Sequence, residues 1–145
     1  MGSTISLAMI VKDEEDQLAE CLASVTDIVN EICIVDTGSR DFTIEVARSF
    51  KAKVGVYLWS DDFSAMRNES LRLCTMDWIL VLDADERIAK DDLHRLKSLA
   101  KGATDCCYRF VTRNYTNNTA IADFQPCDPG DPNARGFAGW FPSTK

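Results

Sequence analysis

The stretch Trp78-Ile79-Leu80-Val81-Leu82-Asp83-Ala84-Asp85-Glu86 decides how this chain is read. Its run of apolar residues predicts a strand buried on both faces. Three carboxylates then crowd the strand's end, at Asp83, Asp85 and Glu86. In extended backbone Asp83 and Asp85 point to the same side, about 6.5 Å apart. At an effective dielectric near 20, two such charges repel by about 2.5 kcal/mol, equivalent to roughly two pKa units. Folding alone gives no reason to accept that. Either the pair is well solvated, or something positive belongs between the two.

Upstream of this stretch the chain alternates strand and helix. Ile5 to Val11 reads as a first strand, followed by Asp13-Glu14-Glu15-Asp16, acids placed where a helix N-terminus favours them. Leu18, Cys21, Leu22 and Val25 then fall at i, i+3, i+4 and i+7, one helical stripe. Glu31 to Asp36 is a second strand ending in the turn Thr37-Gly38-Ser39-Arg40, and Asp41 is placed to cap a second helix. Lys53 to Leu58 is a third strand, Ser64 to Cys74 a shorter helix, and the opening stretch the fourth strand. Asp91 to Lys101 reads as another helix and Asp105 to Arg113 as a further strand.

This alternation predicts an α/β fold, a mostly parallel, Rossmann-like sheet with helices on both faces. Ligands of such sheets bind beyond the carboxyl ends of the strands. Acids stand at each of those ends: Asp13-Glu14, Asp36, Asp61-Asp62 and Asp83-Ala84-Asp85. After about Asn114 the periodicity fails. Asp123 to Lys145 holds all the prolines and reads as loop, so the expected division is a domain over 4–114 and an irregular tail over 115–145.

Composition bounds the function. With 145 residues the chain can bury one real core. A net charge of −7 without a basic block argues against nucleic acid or an anionic membrane as partner. A phosphate ligand bridged by a metal stays compatible, because the ion brings its own charge. No apolar run approaches the length of a membrane span. Six cysteines show no C-x-x-C spacing, and the adjacent Cys106-Cys107 would face opposite sides of a strand, so the reading is a reduced, cytoplasmic chain.

Four segments in order, S-L-A-M-I-V-K-D-E-E, I-C-I-V-D-T-G-S-R-D, D-D-F-S-A-M-R-N and D-W-I-L-V-L-D-A-D-E, resemble the nucleotide-sugar-binding half of family 2 glycosyltransferases, which have the GT-A fold. The resemblance runs from Ile5 to about Ala89. It implies transfer of a sugar from a UDP-sugar to an acceptor hydroxyl, with inversion and with Mn²⁺ or Mg²⁺ as cofactor. It implies a base and ribose pocket at Ile10, Val11 and Glu14, a uracil contact at Asp36, and Arg67 beside base and diphosphate. Asp83 would lie near ribose and metal, and Asp85, in the D-x-D motif, would coordinate the cation.

The chain departs from the family pattern in places. Asp13 stands where many relatives carry Asn, and Met66 where a small residue is usual. No acidic motif for the general base follows Arg113, so that residue stays unassigned and an acceptor region is expected beyond this chain. The acceptor is unknown. Competing readings are a phosphatase-like hydrolase using Asp83 as nucleophile, a phosphoacceptor signalling domain, and a nucleotide-binding module without catalysis. Structural roles compete residue by residue: Asp36 capping its turn, Arg67 pairing on the surface, and Trp59 and Phe63 packing rather than framing a nucleotide.

Overall fold

A computed structural model of the chain describes residues 2–102 and 105–144. Met1, Ala103, Thr104 and Lys145 lie outside the described residues, as do the parts of the expected 4–114 and 115–145 segments that contain them. The chain divides into two compact units, Met1–Ala103 and Thr104–Lys145.

In the first unit the element order is β1 (Ile5–Val11), α1 (Glu15–Val25), β2 (Glu31–Asp36), α2 (Thr43–Ser49), β3 (Lys53–Val56), α3 (Phe63–Arg72), β4 (Trp78–Val81) and α4 (Leu93–Gly102). The strands form one parallel sheet in the order β3-β2-β1-β4. From β1 the chain builds outward through β2 and β3, then returns to place β4 on β1's other side. The crevice between β1 and β4 is therefore the topological switch point, where parallel sheets bind ligands.

Strand alternation sorts the side chains. Ile5, Leu7, Met9 and Val11 of β1, Ile32 and Ile34 of β2, and Leu80 share one buried cluster with Leu18, Cys21, Leu22 and Val25 of α1, Ala47 of α2 and Ala100 of α4. Burying one Leu or Val side chain in that stripe stabilises by about 1.5–3 kcal/mol. The opposite face carries the smaller Ser6, Ala8 and Cys33, over which α3 packs with Met66 and Ser70 buried. Cys33 donates its thiol to the Leu73 carbonyl at 3.3 Å. The layers are helix, sheet, helix, as the alternation implies.

β4 differs from its expected double burial. Among the described residues it is an edge strand, paired with β1 alone, and Ile79 is 43% exposed. Its register sets Ile79 beside Ser6 and Val81 beside Ala8, on α3's face of the sheet. α3 packs over β1 and β2, so only β4's other face, with Leu80, meets the core. The apolar run reports hydrophobicity but not the missing neighbour.

The second unit contains β5 (Val111–Thr116), β6 (Gln125–Pro126) and β7 (Gly139–Thr144), an antiparallel sheet in the order β5-β7-β6. The sequence reads this region beyond Asn114 as irregular; the structure instead makes 139–144 a strand. Gly139 permits it, because a Cβ there would collide with the Gln125 carbonyl oxygen. β6 reaches only Gly139 and Trp140, so Pro142 lies at an open edge, where a missing N–H is tolerated. The strand expected over 105–113 begins only at Val111. Within the unit Tyr115 donates its hydroxyl to Asp131 at 3.0 Å, and the Arg113 guanidinium lies 4.6 Å from the centre of the Trp140 ring.

Candidate functional site

Two loops frame the carboxyl end of the sheet, and each is fixed by the other. Asp13 leaves β1 with φ of 54°, a left-handed conformation that Asp and Asn tolerate better than other side chains. Its N–H donates to Ser39 Oγ at 2.9 Å, and its Oδ1 accepts from the Arg40 N–H at 2.7 Å. An Asn at this position would accept the same bond through its own Oδ1. Asp41 accepts from the N–H groups of Glu15 and Thr43, while Glu15 accepts from the Phe42 N–H. The acids at the heads of α1 and α2 thus satisfy each other's free amides, a reciprocal form of N-capping.

Asp36 is fully buried at the end of β2. Its carboxylate accepts from the N–H groups of Gly38 and Ser39, each at 2.9 Å, and from the Ser39 hydroxyl. Gly38 has φ of 107°, a conformation that side chains rarely adopt. Both Asp36 oxygens are therefore engaged in shaping this turn. Likewise Asp62 caps α3 by accepting from the Ala65 N–H at 3.0 Å, and Asp61 accepts from the Trp59 indole N–H at 2.8 Å. The acids at strand ends thus divide into two groups, and these belong to the scaffold.

Asp83, Ala84 and Asp85 do not continue the strand but enter a turn. The Glu86 N–H donates to the Asp83 carbonyl at 3.0 Å, and the Asp83 N–H donates to Glu86 Oε2 at 2.8 Å. Glu86, the third acid of the cluster, closes the turn. Arg87 ties that turn to α1: its Nη1 donates to the carbonyls of Ala84 and Glu86, and its Nη2 to the backbone and side-chain oxygens of Gln17, all at 2.8–2.9 Å. The buried Cys21 thiol, pushed up to about 12 by burial, donates to the Asp83 carbonyl at 3.4 Å. No sequence pattern marks Arg87; its partners lie up to 70 positions away.

These loops border an open cavity of about 480 Å³ lined by Ile10, Val11, Lys12, Glu14, Thr37, Trp59, Phe63, Asp83, Ala84 and Asp85. It sits at the switch point between β1 and β4. Of the residues expected at the site, Ile10, Val11, Glu14, Asp83 and Asp85 meet there, while Asp36 and Arg67 are outside its lining. Lys12 and Thr37 also line the cavity, although neither was among the expected site residues. Arg67 stands just behind, on α3: its Nη2 is 3.6 Å from Asp83 Oδ1 and its guanidinium carbon 5.5 Å from the centre of the Phe63 ring. Its Nη1 is buried without a hydrogen-bond partner, a state that ordinarily costs 1–3 kcal/mol or more and calls for an acceptor.

The acids of the cavity crowd one another. Burial raises the Glu14 carboxyl above its ordinary value, and the charges of Asp85, Asp41, Asp83 and Asp13 raise it further. The hard oxygens of Glu14, Asp83 and Asp85 are the donor type that Mg²⁺ and Mn²⁺ prefer. Among the described residues, no three acid, histidine or cysteine side chains stand close enough to enclose an ion by themselves. Such a donor set fits a cation that completes its shell with ligand and water oxygens, as Mg²⁺ commonly does at phosphate sites.

A parallel α/β sheet with an acid-lined cleft at its switch point places the chain among the doubly wound α/β domains, whose ligands bind beyond the strand ends. The chain belongs to glycosyl transferase family 2, whose model matches residues 6–136. A TPR repeat-containing protein of Synechococcus elongatus is 50% identical over 94 residues, which are 65% of this chain and 23% of that protein. The prophage-derived glycosyltransferase SunS of Bacillus subtilis is 30% identical over 121 residues, 79% of this chain and 29% of SunS. The chain thus spans less than a third of either relative. Glucosyl-3-phosphoglycerate synthase of Mycobacterium tuberculosis, solved with Mn²⁺ and UDP-glucose, superposes with a TM-score of 0.56 at 21% identity, covering 70% of this chain and 40% of that one. That likeness establishes the shared GT-A fold. No helix among the described residues is long and apolar enough to cross a membrane.

Proposed function

We propose that the chain binds a UDP-sugar together with a divalent cation and serves transfer of the sugar to an acceptor hydroxyl with inversion. The observation that carries this reading is the convergence of Glu14 from the β1 exit with Asp83 and Asp85 from the β4 exit on one switch-point cavity. The fold neighbour solved with Mn²⁺ and UDP-glucose supports the choice of ligand.

In this reading residues 4–114 are the donor-binding half, 115–145 lead towards an acceptor region, and the domain works in the cytoplasm. Asp85, with Asp83, would hold Mn²⁺ or Mg²⁺, which acts as a Lewis acid on the diphosphate. Ile10, Val11 and Glu14 line the space for base and ribose. Asp36, expected at the uracil end, would act there through the Gly38-Ser39 turn, in which both its oxygens are engaged. Arg67 supplies the unused Nη1 donor to a phosphate or base oxygen. As the anomeric C–O bond breaks, its electron pair passes to the diphosphate, so donors aimed there stabilise the transition state more than the ground state. No general base is assigned.

Calorimetry with UDP, with and without Mn²⁺, tests the reading. Binding should require the metal and be lost in Asp85→Ala. Equal affinity without metal would overturn the bridging role, and phosphate-ester hydrolysis abolished by Asp83→Asn would favour a hydrolase instead.

A further inference from the structure

Two large aromatic side chains face the cavity while the core is packed almost wholly with aliphatic residues. Trp59 is 43% exposed and Phe63 56% exposed, and both line the cavity. Their rings meet edge to face, with centroids 6.5 Å apart and an interplanar angle of 62°. Leaving such rings in water forfeits burial that the fold could have used. Trp59's one polar group is already satisfied by Asp61, so the ring presents an apolar surface with no unmet donor. Asp61 holds this contact from a left-handed backbone, φ 58°, a conformation that Asp tolerates. Arg67 lies against the Phe63 ring and limits its freedom.

The chemistry of the lining is segregated by element. The carboxylates come from the exits of β1 and β4, the aromatics from the β3–α3 connection and the first position of α3. Acids with a cation take the charged part of a ligand; an aromatic wall takes an uncharged, flat part. We propose that Trp59 and Phe63 form the stacking wall for the planar base of the nucleotide, a role that rests on the nucleotide-sugar reading above. Stacking on an aromatic side chain tolerates any base, so the wall supplies affinity and placement, while discrimination among bases falls to polar groups.

The test is calorimetry on the whole chain with Mn²⁺ and three probes: UDP, UDP-glucose and inorganic pyrophosphate. Trp59→Ala should weaken UDP and UDP-glucose alike, by about five- to hundredfold, and leave pyrophosphate unchanged. Trp59→Phe should retain most of the affinity. Phe63→Ala, which replaces a residue at a helix start by a better helix former and so spares the fold, should act in the same direction. Unchanged UDP affinity in Trp59→Ala overturns the wall while leaving the nucleotide reading intact. Weakening of UDP-glucose but not UDP overturns it in favour of a sugar contact. Equal loss of pyrophosphate overturns it in favour of a purely structural role. A wild-type chain that binds pyrophosphate but not UDP removes the nucleotide reading itself, and the wall with it.

Discussion

Replacing Arg87 by Ala is expected to loosen the Asp83-Ala84-Asp85 turn and, through it, the site. Arg87 keeps four short hydrogen bonds, two to carbonyls of the turn and two to Gln17 of α1. Its side chain is 22% exposed, so water can reach part of what the truncation uncovers but not all of it. At a net value near 1 kcal/mol per bond, offset where water substitutes, the loss comes to about 2–4 kcal/mol. The longer contact to Glu20 is a surface ion pair and adds little. Urea or thermal unfolding measures the change, with an expected fall in melting temperature of about 6–12 °C. Arg87→Lys should recover only a minor part, since one ammonium cannot span the turn and α1 as the planar fork does. Metal-dependent UDP affinity should fall in parallel by about tenfold, because the two carboxylates lose their fixed spacing. Stability within 0.5 kcal/mol of wild type, with unchanged affinity, would refute the role of Arg87 as the brace of this turn.

Glu14 gives a pH signature. Its folded pKa is raised by burial and by Asp85, so the stability it contributes is full below its ordinary value of 4.5 and is lost as pH rises through the folded value. Glu14→Gln should flatten that decline in denaturation curves taken across pH 4–8, and an unchanged slope would count against it. Asp85→Asn should raise the unfolding midpoint of the metal-free protein while removing the effect of Mn²⁺ on UDP binding, a trade of stability against function. Glu31 behaves oppositely. Burial alone would raise it, but Lys53, Ser6 and Thr75 hold it at about 2, so its stabilisation is present above 4.5 and lost as pH falls towards 2. Glu31→Gln should cost about 2–3 kcal/mol at neutral pH, read by urea unfolding, with no change in UDP affinity.

Much of the first unit was legible because its periods are clean. Leu18, Cys21, Leu22 and Val25 are fully buried where a 3.6-residue stripe places them, and β1 and β2 run over the expected residues. What stayed hidden depends on partners distant in sequence. Acids at strand ends suggested one site, yet only Glu14, Asp83 and Asp85 face the cavity; Asp36, Asp61 and Asp62 serve turns and caps, chemistry that a carboxylate performs equally well. The edge position of β4 follows from strand order, which hydrophobicity does not encode. β7 was masked by Gly139 and Pro142, residues that normally break strands but here sit at a close backbone approach and an open edge. Lys12 and Thr37 carry no pattern of their own and enter the site only because β1 and β2 end beside each other.

The central claim is that carboxylates from two strand exits share a cation with a diphosphate. Anomalous diffraction from a crystal grown with Mn²⁺ and UDP tests it most directly. One manganese peak is expected within coordination distance of Asp85 and of oxygens from both phosphates. UDP bound in the cavity with Asp85 turned to solvent and no manganese beside it would contradict the account.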